Sequence, residues 1–457
     1  MKKAFFLGSV VLCFLLLASA AWGACHVITP TGSGSQSGSD WNNACAGFTG
    51  NCSSTGVVRG DTYYIAKGTY SAAPGLTKAN SGTTKIIFKA PTAGDHCTDT
   101  GFAQATHVGQ ALMNRGMVVS SDNWVFDGQY GTEYSKGSYG FKIKDLTAAA
   151  FIINCNGGCA NSTFRFIEIE GDNARGSCSG GDVGIYPGAN GGSDNATIER
   201  NYIYRVNNHM KINGTSGVVV QNNLFTENYS GAACHGENIA MNATAGTIVR
   251  FNKFENCRGT ACVAAGACGV CSLNTNTAFY GNIFYATSDY TSLDANPLSN
   301  GIFHTLGGSG WSGAVWYNNT VAGWTSSKGS GSSTFTDDGS GTNSNPTVRN
   351  TLFYGNNASM GMVGTCSNNA YFDQVRAAVC TSDQTGATGS PFVNFPANIT
   401  QGQVPDFRLV NDTNSWFALS IPFNTDPDGV IRTSSRGAYQ STGPRPDPPT
   451  GLGAVVR

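Results

Sequence analysis

Charge is what this chain has least of. Asp, Glu, Lys and Arg make up only 12% of its 457 residues, about half the usual share. The 27 basic and 28 acidic side chains leave a formal charge of −1. Such a sparse, balanced set offers no electrostatic attraction for nucleic acid or an anionic membrane. Long apolar runs are also missing. Beyond Ala4 to Ala20, no stretch approaches the ~20 apolar residues of a spanning helix, so no membrane span is expected. The chain has no Cys-x-x-Cys-His for covalent haem, no phosphate-cradling Gly loop and no Gly-x-Ser-x-Gly elbow.

What the sequence does have is Gly, at 60 residues, and a short phrase that keeps returning. It reads Ile198-Glu-Arg-Asn201-Tyr-Ile203, Val220-Gln-Asn-Asn223-Leu-Phe225, Val249-Arg-Phe-Asn252-Lys-Phe254, Phe279-Tyr-Gly-Asn282-Ile-Phe284 and Trp316-Tyr-Asn-Asn319-Thr-Val321. It decays into Val348-Arg-Asn350-Thr-Leu352-Phe353. From Asn201 through Asn223, Asn252 and Asn282 to Asn319 the steps are 22, 29, 30 and 37 residues. Recurrence at tens of residues implies stacked supersecondary units. The apolar positions are β-branched or aromatic in runs too short for helices, and Gly, Asn, Ser and Thr clusters separate them. Short strands lying on one another at about 4.8 Å would align equivalent side chains. The repeated Asn would then form an amide ladder. Unequal steps fit, because doubling a surface loop costs only about 0.6 kcal/mol. The expected fold is all-β, a parallel β-solenoid with long loop insertions.

This phrase resembles the repeats of right-handed parallel β-helix proteins, the pectate-lyase-like superfamily. Arg59-Gly-Asp-Thr-Tyr-Tyr-Ile-Ala-Lys-Gly-Thr-Tyr70 is similar to the first coil of many secreted bacterial β-helices. Asp406-Phe-Arg-Leu409, with Asp426-Pro-Asp-Gly429, Arg432 and Gly437-Ala-Tyr439, is similar to their final coil. The resemblance spans roughly residues 40 to 440 and implies the fold. It does not fix the activity, since the superfamily holds lyases, hydrolases, epimerases, adhesins and tailspikes.

Met1-Lys-Lys followed by Ala4 to Ala20 reads as a secretory signal peptide, cleaved after Gly23 or, second, after Ala20. The expected organisation is a signal peptide over 1–23, an N-terminal cap over 24–56, the β-helix over 57–440 and a Pro-rich tail over 441–457. A secreted monomer is expected, periplasmic or extracellular, with association to the cell surface as an option. Removing Cys13 leaves 14 of 15 cysteines, an even number that implies disulfides in an oxidising compartment. Cys45/Cys52 and Cys155/Cys159 are plausible pairs, as is pairing within Cys257, Cys262, Cys268 and Cys271. The cap, closed by disulfides, would cover the open edge of the first coil.

Aligning successive strands through Ile185, Ile212 and Met241 puts Asp182, His209 and Lys211 in one outward column. His235 and Glu237 then fall at the edge of the next coil. Cys234-His-Gly-Glu-Asn238 is the densest ionisable spot in the chain. Lys211 or His235 would act as a base, with Glu237 and Asp182 as partner acid or calcium ligands. The same groups also fit a solvated polar face. Glu168, Glu170 and Asp172 share a face too and fit either a cation or solvent.

The family's catalytic motifs are mostly missing. The paired Asp and Gly-His-Gly of polygalacturonase-like enzymes are absent, as are the Asp clusters and strand Arg of classical pectate lyases. The Lys that follows Gly-Glu in chondroitinase- and alginate-lyase-like β-helices is also missing after Gly236-Glu237, which leaves Lys211 as the nearby substitute. The expected function is polysaccharide binding, with no cofactor required and Ca2+ possible. The alternative is a lyase or glycoside hydrolase with its groove around Lys211, His235 and Glu237.

Overall fold

The computed structural model describes residues 23–132, 134–144, 150–155, 157–171, 183–188, 192–228, 236–266, 272–290, 298, 300–305, 310–324, 334–337, 346–355, 363–373, 380–411, 418–432 and 435–439. The expected signal segment and the Pro-rich tail lie outside them, Gly23 excepted.

Short strands stack in parallel into three long sheets of 13, 12 and 8 strands, and every rung of each sheet comes from a different turn of the chain. The result is a right-handed parallel β-helix with a buried apolar interior. Phe164, Ile198, Val220, Val249, Phe279, Trp316 and Val348 line it from the first sheet; all are at most 1% exposed, and each is in register with the next. The second sheet contributes a stack of rings. Phe225, Phe254 and Phe284 succeed one another with centroids 4.9 and 4.4 Å apart, and Trp316 caps the stack at 5.1 Å.

The phrase in the sequence is the corner between these two sheets. The residue before each ladder Asn takes a left-handed conformation. Its φ is 55° at Arg200 and Asn222, 59° at Phe251, 65° at Gly281 and 54° at Asn318. That reversal costs a side-chain-bearing residue about 1–2 kcal/mol, and the next residue supplies the compensation. Each Asn Nδ2 donates to the Oδ1 one coil on: Asn201 to Asn223 at 3.0 Å, Asn223 to Asn252 at 3.0 Å, Asn252 to Asn282 at 3.0 Å and Asn282 to Asn319 at 3.1 Å. The same Oδ1 also accepts the preceding coil's backbone N–H, so Asn223 receives Asn201 at 2.9 Å. The ladder begins at Asn201, as expected: Ile167, in the equivalent position one coil earlier, donates its N–H to Asn201 Oδ1 at 3.1 Å.

At the ends the structure departs from the sequence reading. Residues 24–56 do not merely cover the first coil, because Cys25–Thr29 pairs in parallel with Thr62–Ile65 and supplies an earlier rung. Cys25–Cys97 and Cys45–Cys52 tie this region together. Cys257–Cys262 and Cys366–Cys380 are also joined, whereas Cys155 and Cys159 are buried free thiols. Asp406–Leu409 is not a terminal coil. It forms an antiparallel hairpin with Phe392–Asn394, whose Phe392, Phe407 and Leu409 pack on Ile283, Tyr285, Ala322 and Leu352 of the second sheet. Three apolar side chains on one face of a two-stranded ribbon need a surface to cover them, and the outside of the helix is that surface. Asp426-Pro-Asp-Gly429 is a turn: Asp426 Oδ1 accepts the N–H groups of Asp428 at 3.0 Å and Val430 at 2.8 Å. No helix among the described residues is long and apolar enough to cross a membrane.

Candidate functional site on the short sheet

The third sheet carries the ionisable spot found in the sequence. Its strands Asn208–Asn213, Glu237–Asn242, Ala261–Ala265 and Gly301–Thr305 are successive neighbours. Ile212 pairs with Met241, as expected, but Ile185 pairs with Met210 rather than Ile212. This two-residue slip keeps the faces and moves the earlier coil along. Asp182 and His235 lie outside the described residues.

Lys211 stays on the outer face, half-buried, where its column continues through Ala240, Ala264 and His304 to Thr336. Three strand spacings, roughly 14 Å, separate Lys211 from His304, and Ala240, Ala264 and His304 are themselves buried. Beside Lys211 runs a second polar row. Asn242 donates to Asn213 Oδ1 at 2.7 Å, and Asn213 donates to the Tyr186 hydroxyl at 3.3 Å. Tyr186 in turn stacks on Phe151 at 4.4 Å.

Glu237 opens its strand and is only 1% exposed. Its backbone N–H is held by Asn208 Oδ1 at 3.0 Å, while its carboxylate Oε1 is buried with no hydrogen-bond partner among the described residues. Burial pushes the carboxyl up to about 7, against the hydrogen bond from Thr260 and the attraction of Lys211. A carboxyl that exchanges its proton near neutrality has the chemistry of a general acid or base.

His209, expected in the outward column, is fully buried instead. Its ring meets Phe225 edge-on at 5.5 Å, and Nε2 lies 2.7 Å from the Thr226 carbonyl. Burial lowers its pKa to about 4, so it sits neutral inside the helix. The strand start turns its side chain toward the interior, and strict alternation does not capture that. His304 was missed by the sequence reading. Its Nδ1 is 2.8 Å from the Thr336 hydroxyl and its Nε2 is 3.2 Å from the Asn300 amide. Gly301-Ile-Phe-His304 reads in the same register as Ala261-Cys-Val-Ala264, so extending the strand alignment two coils would have found it.

Glu168 and Glu170, weighed as cation ligands or solvated groups, are neither. They lie buried on the second sheet, Glu168 bound by Lys142 Nζ at 2.8 Å and both sharing the Tyr204 hydroxyl at 2.7 Å. Tyr204, Trp311 and Trp324 are likewise buried and present no ring to a sugar. No group of three or more His, Cys, Asp or Glu able to hold a metal occurs among the described residues.

Among solved structures the chain is similar to the pectate lyase Pel9A, at 14% identity and a TM-score of 0.50, covering 92% of this chain and 96% of that one. XylC in complex with xylose aligns at 9% identity and a TM-score of 0.44, covering 91% and 98%. PfbA, a surface adhesin of Streptococcus pneumoniae, aligns at 13% identity and 0.34, covering 68% and 77%. No family model and no curated protein matches the sequence. The three parallel sheets and the likeness to Pel9A give this chain the pectate-lyase-like right-handed β-helix fold.

Proposed function

We propose that the protein is exported and binds polysaccharide along the outer face of its short sheet. The carrying observation is the arrangement on that face. Lys211, half-buried, stands beside the half-exposed Asn213 and Asn242, whose amides donate and accept along the row to the Tyr186 hydroxyl. Hydroxyl-rich, weakly charged polymers suit such a surface, and a chain of −1 net charge repels neither neutral nor uronate glycans. Pel9A is by its name a pectate lyase, which supports polysaccharide as the ligand class. The disulfides support export to an oxidising compartment.

A second reading rests on Glu237. A buried carboxyl with a raised pKa close to a lysine also fits a lyase or glycoside hydrolase.

One experiment separates the two. Uronate-containing and neutral glycans are assayed for binding and for release of unsaturated or reducing ends, with and without Ca2+, on the parent, Lys211→Ala and Glu237→Gln. Binding lost in Lys211→Ala without any product supports the first reading. Product abolished in Glu237→Gln supports the second. If both variants match the parent throughout, this face is not the site.

A further inference from the structure

On the opposite flank a second carboxylate is buried more deeply still. Glu255 follows Phe254 on the second sheet and faces outward, yet it is 0% exposed because residues 399–404 lie over it. Four sets of contacts fasten that segment. Gly402 donates its N–H to Glu255 Oε1 at 2.9 Å. Tyr285 donates its hydroxyl to the same oxygen at 3.2 Å and reaches the Gln403 carbonyl at 3.5 Å. Gln401 donates its N–H to both oxygens of Asp289 at 3.2 Å. Ser288 binds the Ile399 carbonyl through N–H and hydroxyl, at 2.8 and 2.7 Å. The Thr226 hydroxyl closes on the other carboxylate oxygen from the preceding coil. Apolar anchoring lies further along, where Val404 touches the Tyr139, Tyr202 and Tyr204 cluster and Phe407 meets Tyr285 at 5.2 Å.

We propose that residues 399–404 form a latch, held shut by the protonated side chain of Glu255 and loosened when that carboxyl ionises. A neutral acid can accept from Gly402 and Tyr285 while remaining dry. A carboxylate cannot stay there cheaply, because its neighbours do not neutralise it. Glu227 on the preceding coil is acidic and engaged with Arg205 at 3.2 Å. Lys253, on the same strand, has its ammonium over the Tyr134 ring at 4.1 Å and acts on Asp406 of the hairpin. Asp289 on the next coil is another acid, and Tyr202 and Tyr285 are held in their neutral forms by burial. Burial raises the Glu255 carboxyl to about 7, against the hydrogen bonds from Thr226, Gly402 and Tyr285 that favour the ionised form, with Glu227 adding a smaller rise. The sign follows from linkage. A pKa raised by the closed latch favours closure below the solvated carboxyl's value, and that preference is lost as pH rises through about 7. Lifting the segment admits water and relieves the charge without disturbing the apolar interior.

Hydrogen exchange of the full-length protein tests this, with rates corrected for intrinsic pH dependence. Protection at the Gly402 and Gln401 amides is expected to fall about 100-fold between pH 5 and pH 8, while Asn223 and Asn252 amides stay protected. Glu255→Gln, which keeps an acceptor without the charge, is expected to hold protection level across that range. Ser288→Ala removes one fastening of the latch and should lower protection equally at both pH values. Equal protection of the parent at pH 5 and 8, or the same fall in Glu255→Gln, overturns the proposal. None of these readouts depends on the glycan site.

Discussion

At the scale of single residues, the ladder asparagines do more than mark a repeat. Asn252 donates to Val220 O at 2.9 Å and Asn282 Oδ1 at 3.0 Å, and accepts from the Asn223 backbone and side-chain amides, both at 3.0 Å. Asn252→Ala would leave donors and acceptors stranded on both neighbouring coils. Each such buried group costs ~1–3 kcal/mol, so a loss of about 3–5 kcal/mol in urea unfolding is expected. Asn213→Ala, on the half-exposed outer row, should stay within ~0.5 kcal/mol. His209 supplies a pH-dependent counterpart. Its pKa falls to about 4 in the folded state, so the stability it confers is complete above the unfolded value of ~6.5. That stability is lost as pH falls through about 4. His209→Gln should flatten the urea midpoint between pH 6.5 and 4, removing a slope worth up to about 3 kcal/mol. An unchanged slope would show that another group governs acid lability.

At the scale of strands, the sequence was most legible where side chains stack on their own equivalents. The Asn phrase located one corner of every coil from Asn201 to Asn319, because the corner needs both a left-handed residue and an amide that bonds up and down. It failed one coil later. Asn350 is itself the left-handed residue, with φ 53°, and Thr351 takes the ladder position, its N–H bonding Asn369 Oδ1 at 3.0 Å. The candidate site was legible as a neighbourhood rather than a geometry. Lys211 does lie on the outer face, but Glu237 alternates with Ile239 and Met241 rather than with Ala240, the partner of Lys211; strand starts bend, so alternation misplaced His209, and the Ile185 register slipped by two. Burial of Glu168, Glu170 and Glu255 was invisible, since their covers come from remote segments, Gly137 over Glu168 at 2.8 Å and Gly402 over Glu255. The stacked rings make their own prediction at this scale. Phe254→Ala, cut between Phe225 and Phe284, should cost about 3–5 kcal/mol, and Phe254→Leu should cost under ~1.5 kcal/mol, read by chemical denaturation.

At the scale of the molecule, a solenoid has no single centre: each rung touches only the rungs beside it, so damage at one end need not travel. Cys25–Cys97 is the place to see this. It closes a sequence separation of 72 residues and secures the first strand, Cys25–Thr29, against Thr62–Ile65. Chain entropy alone assigns a loop of that length about 4 kcal/mol. In a compact domain with one core, losing that much would loosen everything together. Here the double variant Cys25→Ser/Cys97→Ser should raise exchange at the amides of Thr62–Ile65 and Ile86–Lys89 by orders of magnitude. The amides of Ile248–Arg250 and Lys253–Glu255, many coils away, should keep the parent's rates. Fraying confined to the first rungs fits nearest-neighbour stacking. Uniform acceleration along the whole helix would mean that its rungs unfold as one cooperative unit, coupled through the continuous ladder and ring stack.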